Sequence, residues 1–176
     1  MWGAAIGAVT VQEAIKLVLA NKGPGRFGRT KLMKHLYFLK EVGGLEVDVD
    51  FKLYSYGPFS SAVLRTLNEL SHAQQVAETP PDEDQEASSY DYALAQGEGT
   101  ALGISDVQKQ LIENLTGRSA LELEALSTLH LTSRLLESTD EDLVVERVKN
   151  MKPYFRIEAL RAYWRELKRL GWIAES

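Results

Sequence analysis

Leucine stands at positions 121, 123, 126, 129, 131 and 135. On a helix of 3.6 residues per turn these side chains cover most of the circumference, and such a helix is normally central and buried. Ser119-Ala120-Leu121-Glu122 is a capping box that opens the helix, which is expected to reach about Leu136. The chain must therefore supply elements that pack around it, and the remaining sequence reads mainly as amphipathic helices.

Thr10-Val11-Gln12-Glu13 is a second capping box. Its helix is expected to run to about Asn21, where Gly23-Pro24-Gly25 stops it. A helix over about 30–42 follows, with Leu32, Met33, Leu36 and Leu39 facing the core and Lys34 and Glu41 opposite. Residues 50–56 read as a strand that ends at Gly57-Pro58. Ser60 caps a helix over about 61–71 on the stripe Val63, Leu67 and Leu70. Residues 74–78 and 88–94 read as a hairpin with an exposed acidic tip over 79–87. Ser105 caps the next helix. Residues 139–150 and about 156–170 form the last two, parted by Pro153 and closed by Gly171. Trp172-Ile173 is expected to return as a short strand.

The fold expected is α+β and mostly α-helical. Residues 1–9 form a flexible extension, and 10–176 form a single domain. Within it a winged-helix-like N-terminal half (10–104) packs against a helical C-terminal half (105–176). The apolar stretch 6–20 is broken by Gln12, Glu13 and Lys16. It is too short and too polar to span a bilayer, and it lacks the layout of a signal peptide. The absence of cysteine excludes disulfides, thiolate metal sites and a cysteine nucleophile. It favours a reducing compartment, so a cytoplasmic location is expected.

Charge is unevenly spread around a net −5. Residues 13–41 hold 7 basic and 2 acidic side chains, residues 76–100 hold 7 acidic and no basic ones, and residues 143–176 hold 8 basic and 4 acidic ones. An acidic middle between basic ends is not the extended positive face of a nucleic-acid binder.

Two segments carry a resemblance. One is Arg29-Thr30-Lys31-Leu32-Met33-Lys34-His35-Leu36-Tyr37-Phe38-Leu39. The other is Phe51-Lys52-Leu53-Tyr54-Ser55-Tyr56-Gly57-Pro58-Phe59-Ser60. A Thr-Lys-Leu-x-Lys helix ending in Tyr-Phe-Leu, followed by an aromatic strand into Tyr-Gly-Pro-aromatic-Ser, resembles the YwgA-like proteins and, more distantly, the SocA/Panacea domain of antitoxins. The matching residues are Thr30, Lys31, Lys34, Tyr37, Tyr56, Gly57, Pro58 and Ser60. The resemblance implies an antitoxin-type or adaptor role toward a protein partner such as a toxin or a protease system. It supplies no catalytic residues.

The residues themselves show no enzyme chemistry. His35, His72 and His130 have no metal-ligand spacing, so neither a metal nor another cofactor is expected. Glu122 and Glu124 project about 200° apart on a helix and cannot share a substrate. Ser60-Ser61 lacks the glycines of a nucleophile elbow. Gly23 to Lys31 is not a phosphate loop, because its spacing is wrong and Pro24 has no amide to donate.

The function expected is a non-enzymatic protein-interaction module. Its candidate contact residues are Lys31, Lys34, Tyr54, Tyr56 and Phe59, with a cationic strip of Arg161, Arg165, Lys168 and Arg169 on the last helix. The alternative is a winged-helix DNA-binding regulator. Against it, the third helix offers Arg65 opposed by Glu69, and the wing tip is acidic. Arg26, Arg29 and Lys31 would serve non-standard docking.

Overall fold

The computed structural model describes residues 8–83 and 89–174. Seven helices and four short strands occur among them. The chain divides into two compact units. Unit 1 takes the chain as far as Asp50 together with Ser60–Gly117, and unit 2 takes Phe51–Phe59 and the chain from Arg118 onward. The expected division at 104/105 thus falls elsewhere. The fourth helix belongs to unit 1, and nine residues of the N-terminal half belong to unit 2.

Unit 1 holds α1 (Val11–Asn21), α2 (Arg29–Glu41), α3 (Ser61–His72), β3 (Val76–Thr79), β4 (Asp91–Leu94) and α4 (Asp106–Thr116). The capping box at Thr10 forms as read, with Thr10 Oγ1 accepting from the Glu13 amide and Glu13 returning to the Thr10 amide. Ser105 and Gln108 form the same reciprocal pair before α4. Ser60 accepts from the Val63 amide before α3. Strands β3 and β4 pair antiparallel, Val76 opposite Leu94 and Thr79 opposite Asp91.

Helix α2 departs from expectation. All eight residues from Leu32 to Leu39 are buried, Lys34 and His35 included. Both α1 and α4 pack on α2, and its middle turns have no solvent side. The expected flexible extension also ends earlier. Residues 1–7 lie outside the described residues, but Val9 forms a parallel bridge with Val47 and its amide donates to Glu46 O at 2.7 Å. Of the expected acidic tip, 84–87 lie outside the described residues.

Unit 2 holds β1 (Lys52–Tyr54), β2 (Gly57–Phe59), α5 (Ala120–Leu136), α6 (Glu141–Met151) and α7 (Ile157–Arg169). The Ser119–Glu122 capping box opens α5 as read. Its middle is central to the unit, with Leu123, Leu126 and Leu129 in the core beside Val144, Val148, Leu160 and Trp164. The leucines at its ends, Leu121 and Leu135, are exposed. The burial of its circumference is completed instead by polar residues, Glu124, Ser127, Thr128, His130, Thr132 and Ser133. Trp172-Ile173 is not a strand. Ile173 is buried, and the Trp172 carbonyl accepts from His130 Nε2 at 3.1 Å.

The segment around Gly57-Pro58 is a further correction. It does not end a strand but forms the return strand of a tight hairpin, β1 pairing antiparallel with β2 through Lys52–Phe59, Leu53–Pro58 and Tyr54–Gly57. The turn is Ser55-Tyr56. Among the described residues β1 pairs only with β2, and β3 only with β4, so β1 does not join the β3–β4 hairpin.

Candidate functional site: a pinned tyrosine hairpin

The β1–β2 hairpin lies on α5. Gly57 makes the close approach, because a Cβ there would sit 2.7 Å from Thr128 Oγ1 and 3.3 Å from Ser127 Oγ. Gly57 also has φ +88°, which disfavours any L side chain. Gly57 and Pro58 are buried, Phe59 is half-buried, and the turn above them is exposed.

Lys152, just past the end of α6, pins that turn. Its side chain is 4% exposed, and that of Glu124 on α5 is 6% exposed. Lys152 Nζ donates to Glu124 Oε1 at 2.7 Å, to the Ser55 carbonyl, and to the Tyr154 hydroxyl at 3.3 Å. Three donors thus meet three acceptors, which a buried ammonium requires. The Tyr154 hydroxyl in turn donates to Glu124 Oε1. Burial, followed by this bond to a carboxylate, pushes the Tyr154 hydroxyl well above its ordinary pKa, so it stays a neutral donor. One turn back, Lys149 Nζ donates to the carbonyls of Pro153 and Phe155 at 2.6 and 2.7 Å and holds the loop that carries Tyr154.

Over this polar knot stand three exposed rings. Tyr56 is 70% exposed, Tyr54 60% and Tyr154 58%. Tyr54 leans on Phe59, with ring centroids 5.4 Å apart. Tyr154 packs on buried Phe155 at 4.8 Å.

Tyr54, Tyr56 and Phe59 of the expected contact residues are brought together here. Glu124, Lys152 and Tyr154 complete the site; Lys152 and Tyr154 were not singled out from sequence, and Glu124 was considered there only as a partner for Glu122. The one signal for Tyr154 is the aromatic pair Tyr154-Phe155 directly after the helix-breaking Pro153.

The other expected contact residues fall elsewhere. Lys34 is 2% exposed, so it is not a surface contact. Lys31 is half-exposed, and its carbonyl accepts from His35 Nδ1 at 2.7 Å. The strip on α7 is not a free cationic face. Arg161 pairs with Glu141 at 3.1 Å and Asp142 at 2.7 Å, Arg165 with Glu141 at 3.1 Å, and Arg169 with Glu166 at 3.6 Å. Lys168 lies over the Trp164 ring at 5.6 Å.

The basic loop of unit 1 is also engaged internally. Arg29 Nε donates to the Tyr92 hydroxyl at 2.6 Å, and Arg26 donates to Ser89 O at 3.0 Å and pairs with Asp82 at 3.5 Å. Arg65 and Glu69 on α3 stand 3.9 Å apart. Burial pushes His35 and His130 each down to about 4, so both rings are neutral near pH 7. Among the described residues no cluster of His and carboxylate side chains has the arrangement of a metal site, and no helix is long and apolar enough to cross a membrane. No protein-family model matches the chain, and no curated protein matches it.

Proposed function

We propose that the protein is a non-enzymatic protein-interaction module and that the β1–β2 hairpin with Tyr154 is its contact surface. The carrying observation is that three tyrosines more than half exposed surround a turn whose carbonyl is held by a buried ammonium. Exposed rings on a mobile loop would lose much of their binding energy to ordering on association. Rings on a pinned turn lose less, and tyrosine is favoured at interface centres because it offers a large apolar face with a polar tip. The resemblance to YwgA-like and SocA/Panacea proteins adds an antitoxin-type or adaptor role. The DNA-regulator reading draws less support, because Arg65 faces Glu69 and Arg26 faces Asp82.

The test is affinity capture from native lysate with wild-type chain and with Tyr56→Ala. A partner retained by the wild type and lost with the variant, at unchanged Tm, supports the reading. Capture insensitive to Tyr56→Ala overturns it. Sequence-selective duplex DNA binding at ~150 mM salt, tighter than the non-specific range of ~1–100 µM, favours the regulator.

A further inference from the structure

We propose that the tyrosine hairpin takes an acidic, extended segment of its partner protein, laid along the outer edge of β1. This rests on the contact-surface reading above and adds the chemistry of the partner.

The strand edge follows from the register. Leu53 stands opposite Pro58, which has no amide hydrogen to donate. The bonded pairs are therefore Lys52–Phe59 and Tyr54–Gly57, and Leu53 turns its N–H and C=O away from β2. The sheet has two strands, so no strand pairs with that side among the described residues. An outward N–H and C=O beside exposed rings is the arrangement used in strand addition, where backbone bonds give affinity and side chains give selectivity.

The sign of the partner follows from the charges. Glu124, the carboxylate within the site, is buried against Lys152. Lys52 is exposed and lies two residues from Tyr54, on the same face of β1. It has no ion pair among the described residues. Arg156, two positions beyond Tyr154, meets Glu158 at 3.8 Å with both side chains largely in water, where such a pair contributes little. In contrast, Arg161 and Arg165 are matched by Glu141 and Asp142. The uncommitted positive charge of unit 2 thus includes the two cations flanking the tyrosines. Two cations are few for a nucleic-acid backbone, which needs several phosphates neutralised, whereas an open strand edge matches a peptide backbone.

The experiment selects 12-residue peptides from a random displayed library on the full chain. The enriched peptides are then titrated by fluorescence anisotropy against wild type, Tyr56→Ala and the double variant Lys52→Glu/Arg156→Glu, with the Tm of each variant recorded. The expected result is acidic peptides carrying an aromatic or aliphatic residue. Their affinity falls with salt, and it falls at least ~10-fold in each variant at unchanged Tm, about 1.4 kcal/mol. Methylating alternate backbone nitrogens of the peptide should weaken it by a similar factor.

Neutral or basic peptides that still require Tyr56 overturn the acidic partner and leave the contact-surface reading standing. Equal binding of the methylated peptide overturns the strand-edge placement. No enrichment, or enrichment insensitive to Tyr56→Ala, overturns both readings. A Tyr56-dependent dimer in sedimentation, or an oligo(dT) strand that outcompetes the peptides at Tyr56, overturns the proposal in favour of a second copy or of single-stranded nucleic acid.

Discussion

Lys152 and Glu124 lie 28 positions apart in the chain and meet at 2.7 Å, both side chains almost wholly out of water. Removing two charges from water is costly, and their attraction repays that cost only when the remaining donors and acceptors are also satisfied. Here Lys152 Nζ also donates to Ser55 O and to the Tyr154 hydroxyl, and Glu124 Oε1 accepts a second bond from that hydroxyl. The bond to Ser55 couples the ion pair to the position of the exposed turn, and so links the interior of unit 2 to its tyrosine surface.

Breaking that pair should be far worse than replacing it. Lys152→Met leaves a buried carboxylate with one hydroxyl donor, and we expect a loss of about 3–5 kcal/mol in urea unfolding. Lys152→Met combined with Glu124→Leu should cost much less than the sum of the single changes. An additive double variant would show that the two groups do not act as a pair.

Gly57→Ala should be destabilising by about 1–3 kcal/mol, because the position has positive φ and the methyl would meet Thr128 Oγ1. Adding Thr128→Ala removes the clash but not the backbone strain. The double variant should therefore recover part of the loss, read as a partial return of the Tm.

Tyr56→Ala should leave stability within about 0.5 kcal/mol of wild type, as surface substitutions do, because the ring is mostly in solvent. A loss near the ~3 kcal/mol of a core aromatic truncation would show that Tyr56 is packed and would remove it from the contact surface.

Stability should fall as pH drops from 7.5 to 5.5, above the main carboxylate range. His35 and His130 titrate near 4 when folded and near 6.5 when unfolded. The unfolded state therefore takes up protons first. The stabilisation is complete above about 6.5 and is lost progressively toward about 4. By pH 5.5 the loss should reach about 1.4 kcal/mol for each ring. His130→Gln should halve the slope in chemical denaturation, and an unchanged slope would contradict the buried neutral ring.

Reversing Arg161 and Arg165 to Glu should lower the Tm, since both would then face Glu141, and Arg161 also Asp142. The loss should shrink at high salt, because these groups are solvent-screened. A Tm equal to wild type at low salt would show that the strip is free for a partner after all.

Most helix limits were legible because their causes lie within a few residues. A Thr or Ser and a Glu or Gln three positions on satisfy each other's amides whatever the rest of the chain does, as at Thr10, Ser105 and Ser119. Gly57-Pro58 was legible as a break, but its direction was not. Whether the chain stops there or turns back depends on Thr128 and Ser127, which lie on a distant helix.

The basic face of α7 was visible as a pattern, but the carboxylates that neutralise Arg161 and Arg165 stand 19 to 24 positions earlier. Likewise a lysine on the polar flank of α2 reads as exposed, yet Lys34 is buried in the folded chain. Local hydrogen bonding and side-chain period determined where this chain is helical. Which charges are buried, and which tyrosines stand in water over them, was decided by tertiary structure, because a charge's cost of burial depends on partners that only folding brings within 3 Å.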